Sequence, residues 1–247
     1  MRTRRRLATV LSSAVLVAAL SACGTGSDSG SDTSTSTSAS ETTTSETAAE
    51  TPSVGELLDT MRASANAATS AKLAGSLTQA GKPMTLELAG SRDGTNQSAT
   101  VTLDGGTAQI LTVDGKDYVK ADRAFWESQG VGQVADMVGS KYLTSDQRFS
   151  GDYTLGALLD EMFASEFTAA DSLNTTVEAV DLNGSPAYKL TQTEGTDSTE
   201  LWVSADGQAN LLRIQGIYDG GPLQLSFSDW NAVAPFTAPP ADQVLSV

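Results

Sequence analysis

The sequence predicts an α+β fold: a large antiparallel β-sheet that curls, with helices packed on its concave face. Three observations carry this. Segments of period-two hydrophobicity recur between about residues 72 and 228, separated by Asp-Gly, Asn-Gly and Gly-Lys-Pro turn chemistry. Two helical stretches interrupt them, one ahead of the strands and one between two groups of strands. About ten strands are too many for a flat open sheet, so the sheet must curl, and helices lie in its hollow.

The domain opens with a helix. Ser53 followed by Glu56 makes a capping box, and Leu57, Leu58, Met61, Ala65 and Ala68 fall on one face. From Lys72 the period changes to two. Leu73, Gly75 and Leu77 alternate with polar neighbours, as do Met84, Leu86 and Leu88, then Ala99, Val101 and Leu103. Gly81-Lys82-Pro83, Arg92-Asp93-Gly94, Asp104-Gly105-Gly106 and Asp114-Gly115 break the runs. Gln109–Val113 and Asp117–Ala121 continue the meander. A helical middle then runs from Phe125 and Trp126 through Val134, Met137 and Val138. A further helix starts at Thr154, a good N-cap, and carries Leu155, Leu158, Leu159, Met162 and Phe163. Strands resume at Thr176–Leu182, Ala187–Gln192, Glu200–Ser204, Leu211–Ile217 and Leu223–Ser228. The tail, with Pro235, Pro239 and Pro240, is expected to be extended.

The N-terminal 52 residues belong to a different regime. Arg2, Arg4, Arg5 and Arg6 precede an uncharged, mostly apolar run from Leu7 to Leu20, then Ser21, Ala22 and Cys23. Basic residues, a short apolar run and small residues in that order are a signal peptide, expected to span 1–22. The apolar run is short for a bilayer span. Leu20-Ser21-Ala22-Cys23 resembles the bacterial lipobox, in which the cysteine sulfur takes a diacylglycerol. Cys23 is the only cysteine of the chain, and thioether formation needs a thiolate. Residues 24–52 contain 17 Ser or Thr among 29. Such a segment cannot bury enough apolar surface to offset its ordering entropy, so a disordered tether is expected. The three expected parts are 1–22, 23–52 and a single domain over 53–247.

Composition excludes several chemistries. Four of the fifteen basic residues and none of the thirty acidic ones precede Cys23, so the chain beyond carries 11 basic against 30 acidic side chains, a formal −19. That excess opposes nucleic acid and polybasic docking on anionic lipid. The chain has no histidine, which removes His-dependent triads and His metal sites. No phosphate-cradling glycine loop is present, and Asp181-Leu182-Asn183-Gly184 reads as a turn rather than a calcium loop. No cofactor is expected, nor an enzymatic activity.

Asp114-Gly115-Lys116-Asp117-Tyr118-Val119-Lys120 followed by Phe125-Trp126 resembles a passage of the actinobacterial LppX/LprG-type envelope lipoproteins, within the LolA-like half-barrel superfamily. The closing Phe227-Ser228-Asp229-Trp230-Asn231, with Ala238-Pro239-Pro240 beyond, is similar to their ending. The resemblance covers about residues 54–247 and implies a half-barrel sheet with a helical lid around a space for acylated lipids or glycolipids. It implies a protein lipid-anchored to the outer face of the cytoplasmic membrane, which binds or transfers such lipids in the cell envelope.

On that reading the ligand-facing residues are Leu86, Leu88, Val101, Leu103, Tyr118, Trp126, Leu158, Leu159, Met162, Phe163 and Phe227, and Cys23 is the lipidation site. Packing alone also explains the apolar members of this set, since residues at such spacings are mostly core. The alternative is an envelope lipoprotein with a filled core that docks on a protein and carries no lipid. Lys120 and Arg123 are expected to pair with neighbouring carboxylates. Adjacent Asp160 and Glu161 cannot face each other on a helix and belong to its solvated side.

Overall fold

A computed structural model describes residues 51–79, 81–144, 154–165, 175–194, 197–218 and 220–246. The expected signal peptide, Cys23 and the tether as far as residue 50 lie outside the described residues. In chain order the elements are α1 (Val54–Ala67), β1 (Ser70–Gln79), β2 (Lys82–Ser91), β3 (Gln97–Leu103), β4 (Gly106–Val113), β5 (Lys116–Ala121), α2 (Arg123–Ser128), α3 (Gln133–Val138), β6 (Tyr142–Thr144), α4 (Leu155–Ser165), β7 (Thr175–Leu182), β8 (Ser185–Glu194), β9 (Asp197–Ser204), β10 (Leu211–Tyr218), β11 (Gly221–Ser228) and β12 (Val244–Ser246).

The twelve strands among the described residues belong to one open, curled sheet of order β12-β6-β5-β4-β3-β2-β1-β11-β10-β9-β8-β7. Two meanders, one on each side of the helical middle, meet where β1 pairs with β11. The tight turns follow the sequence. Asp104 and Gly105, Asp114 and Gly115, and Asn183 and Gly184 all have positive φ, the two-residue geometry whose twist matches that of paired strands.

The pairings align one apolar row along the concave face. Leu245, Leu143, Val119, Ile110, Ala99, Leu88, Leu73 and Phe227 are successive cross-strand partners. Two residues along β11, Leu225 continues the face to Ile214, Leu201, Leu190 and Val177. Alternation of side chains puts their neighbours on the convex face.

α1 forms because Ser53 accepts from the Glu56 N–H while the Glu56 carboxylate takes the Ser53 N–H. It buries Leu57, Leu58, Met61 and Ala65 on the concave face beside Leu155, Leu159 and Phe163 of α4. Each large side chain so buried stabilises the fold by about 1.5–3 kcal/mol. Thr154 caps α4 by accepting from the Ala157 N–H at 3.1 Å. A smaller cluster of Val119, Trp126, Val138 and Leu143 covers the β5–β6 end. There α2 lies so near the sheet that a Cβ on Gly106 would come within 2.2 Å of the Phe125 nitrogen.

Four features correct the sequence reading. The helical middle is two six-residue helices, and Met137 is 57% exposed. Strand β6 follows it, too short to show a period. The tail is not merely extended. Asn96 clasps the Phe236 backbone through two hydrogen bonds, of 2.9 and 2.8 Å, and Val244–Ser246 form β12. β12 pairs with β6 in parallel, the exception to an otherwise antiparallel sheet. A bulge in β10 between Leu211 and Arg213 lets Leu211 and Ile214, three positions apart, share the buried face.

Candidate functional site

The candidate site is the space between the concave face of the sheet and the helices α1 and α4. It divides into a packed middle and a looser end. In the middle, Leu88, Leu159, Leu155, Leu190 and Leu201 have 0–2% of their surface exposed. A side chain with no accessible surface lines no water-sized void, so these residues are core. Phe227, buried, stacks on Trp230 with ring centroids 6.0 Å apart, and the Trp230 indole donates to the Leu211 carbonyl at 2.9 Å.

At the end formed by the tips of β1, β2, β3 and β11, the same face loosens. Leu77, Val101, Leu158, Met162 and Leu223 are only half-buried and pack against the edge of the core. Leu103 is half-buried beside Met84, its cross-strand partner, which is 6% exposed. The inward stripe of α4 explains the split. Leu155, Leu159 and Phe163 point at the sheet, while Leu158 and Met162 lie on its flank.

The sequence-predicted ligand residues therefore fall into three groups. Leu86, Leu88, Leu159, Phe163 and Phe227 sit together in the main core, with Val101, Leu158 and Met162 packed against it. Leu103 extends the loose end. Trp126 belongs to the separate cluster under α2 and α3, and Phe125 packs edge-on against it at 5.7 Å. Tyr118 is misplaced in the set: its neighbour Val119 faces the core, so alternation sends Tyr118 to the convex face, where the Lys116 ammonium lies 5.6 Å from its ring centroid. Cys23 is not among the described residues.

A buried polar row escaped the sequence reading. Gln97, Thr112, Asp117 and Thr144 have at most 2% of their surface exposed. Gln97 is paired across the strands with Thr112, and Thr112 with Asp117. Thr112 donates to the Asp117 carboxylate at 2.8 Å, and Thr144 donates to the Asp117 carbonyl at 2.7 Å. Gln97, Thr112 and Asp117 each lie two residues from the apolar row on their strands, so strand parity alone marks Thr112 and Asp117 as inward. The bonds from Thr112 and Thr144 to Asp117 tie three strands together and fix register more than they perform chemistry.

The surface charges behave as ordinary pairs. Arg92 meets Asp160, and Arg123 meets Asp136 and Glu127. Lys120 instead lies over the Tyr142 ring at 5.6 Å. The Asp136 carboxylate, by hydrogen bond and then by charge, holds the Arg123 guanidinium above its ordinary range. Among the described residues, no group of three or more His, Cys, Asp or Glu stands close enough to hold a metal ion. Asp181 is a turn residue that accepts from the Gly184 N–H at 2.6 Å.

No family model and no curated protein matches the chain. Among solved structures it is similar to an uncharacterized conserved protein from Thermus thermophilus, at 13% identity over 78% of this chain and 98% of that one, with a TM-score of 0.32. It is similar to the Mycobacterium tuberculosis lipoprotein LppX, at 16% identity over 74% of this chain and 98% of that one, with a TM-score of 0.31. It is also similar to MucB in the MucA/MucB complex of Pseudomonas aeruginosa, at 18% identity and a TM-score of 0.32, covering 76% of this chain and 59% of that one.

Proposed function

We propose that the chain is an exported envelope lipoprotein, anchored through Cys23 and held off the membrane by its Ser/Thr-rich tether, whose domain binds the acyl chain of a lipid or glycolipid at the loose end of the concave face. The reading includes no catalysis, in keeping with a chain that lacks histidine and has one cysteine. One observation carries it. The half-buried side chains of Leu77, Val101, Leu158, Met162 and Leu223 extend the buried apolar core outward between α4 and the strand tips. No helix among the described residues is long and apolar enough to cross a membrane, and the proposal gives attachment to the lipidated Cys23. Two or more acyl chains there give stable anchoring.

Each methylene of a ligand taken out of water contributes about 0.8 kcal/mol. A chain of about 16 carbons, if fully buried, yields a gross term on the order of 10 kcal/mol, less the costs of association.

The second reading, a docking module with a filled core, rests on a different observation: the absence of exposed surface at Leu155, Leu159, Leu190 and Leu201. Substitutions at α4 separate the two. Leu159→Trp overpacks the middle in either case. Met162→Trp fills only the loose end. Titration of a fluorescent long-chain fatty acid into the domain should give saturable binding, which Met162→Trp abolishes while the melting temperature is kept. Absence of binding by the wild type, or full binding by folded Met162→Trp, contradicts the lipid reading and leaves docking.

A further inference from the structure

The convex face of the second meander carries a groove whose polar side chains the lipid reading does not use, although Leu223 of the loose end also borders it. Its volume is about 480 Å³, and Ser76, Ser198, Glu200, Gln215, Ile217 and Gln224 are among its lining residues. That volume lies in the range of pockets that hold small organic ligands. The strand registers explain the lining. Glu200 pairs with Gln215, Gln215 with Gln224, and Gln224 with Ser76. One row of carboxylate, two amides and a hydroxyl thus crosses β9, β10, β11 and β1 at neighbouring positions. Apolar groups bound the row on one side, where Ile217, 50% exposed, pairs with Pro222. On the other side Trp202 pairs with Arg213, whose guanidinium lies 5.5 Å from the indole centroid.

Glu200 is held in place. Lys189 bonds its carboxylate at 2.5 Å and also lies over Trp202 at 5.7 Å. A carboxylate has about four acceptor positions, so this pair leaves capacity for further donors. The lining chemistry narrows the ligand class. An acyl chain would strand five hydrogen-bonding side chains. A polyanion would meet Glu200 on a strongly acidic chain. A cation would find one carboxylate, already paired. A sugar presents many hydroxyls that both donate and accept, matched by amide, hydroxyl and carboxylate groups, and C–H faces that suit Ile217 and Pro222.

We propose that this groove is a binding site for a neutral glycan, a property beyond the acyl-chain reading and located on the opposite face of the sheet. Glycan hydroxyls bond to Gln215, Gln224, Ser76 and Glu200 across four strands, and a sugar ring packs on Ile217.

The test titrates cellotetraose, chitotetraose and maltotetraose separately into the folded chain, with backbone amide NMR shifts as readout. At least one of the three should shift amides of β9, β10, β11 and β1 in a saturable way. The double substitution Gln215→Ala, Gln224→Ala should weaken that affinity at least about tenfold, the size of one or two lost hydrogen bonds, without changing the melting temperature. A fatty-acid probe should bind this double variant as it binds the wild type, so failure here and failure of the lipid reading are separate results. No saturable shift with any of the three sugars, shifts confined to other strands, or unchanged affinity in the double variant would overturn the proposal.

Discussion

The two apolar clusters of this domain are built in opposite ways. The larger one, under α1 and α4, rests on strands of seven to ten residues and on helices of 14 and 11 residues. The smaller one, around Trp126, is made from two six-residue helices, the six-residue strand β5 and two three-residue strands. Long elements repeat their hydrophobic period and fix register several times over. Short pieces do not: β6 meets β5 at Val119 and Leu143, and β12 contributes three residue pairs. The larger cluster holds most of the buried apolar side chains. The smaller one closes the sheet edge with groups that depend on one another.

The most damaging change should be Trp126→Ala. Trp126 is 6% exposed and sits at the centre of the smaller cluster. Its loss should cost about 3–5 kcal/mol, measured by urea unfolding. Hydrogen exchange should show α2, α3 and β6 losing protection before β1, β2 and β11 do. Simultaneous loss in all six would mean that the clusters are one cooperative unit.

Leu159→Ala in the larger cluster comes next, at about 2–5 kcal/mol with protection lowered evenly across the sheet. Leu159→Trp should cost about 1–3 kcal/mol by overpacking. A melting temperature kept by Leu159→Trp would show that the middle has room, contrary to the packing seen.

A smaller effect is expected at the start of α1. Ser53→Ala removes the cap and should destabilise by about 0.5–2 kcal/mol, visible as a lower urea midpoint with an unchanged slope. Removing Val244–Ser246 should affect the smaller cluster alone, speeding exchange at Tyr142–Thr144 and leaving β1 and β2 unchanged.

The smallest effect concerns acid. The Ser204 hydroxyl and then the Gln208 N–H bond the Asp206 carboxylate and hold it below its ordinary value. A depressed folded value means this contribution is complete above the unfolded carboxylate range and fades as pH falls through the folded one. Asp206→Asn should therefore lower stability above about pH 4, up to and including neutrality, and leave it unaltered in stronger acid, so that the profile of the variant is flatter between the two. A loss of stability confined to acid, with none near neutrality, would contradict that assignment.

The same contrast governs what the sequence reveals. The capping box at Ser53, the Asp-Gly and Asn-Gly hairpins and the alternation of Leu86, Leu88 and Leu73 are local signals repeated along long elements, and the structure follows them. Tyr118 shows where local reading slips: a motif drew attention to it, while its parity with Val119 already set it on the other face. β6 and β12 could not be read, because three residues carry no period and their pairing joins positions about a hundred residues apart. The β10 bulge was hidden because Leu211, Leu212 and Ile214 are all apolar, so the break in alternation left no mark. Which α4 leucines are sealed and which are half-open depends on the curl of the sheet, which no local pattern specifies.

The central claim, that the loose end of the concave face holds an acyl chain, is tested most directly by mass spectrometry of organic extracts. The Cys23→Ser chain, purified from its own host, removes the anchor lipid from the measurement. The account predicts a co-purifying acylated lipid that is lost from the folded Leu158→Trp variant. An extract of the Leu158-containing chain free of acyl lipid, or one whose lipid persists unchanged in Leu158→Trp, would contradict it.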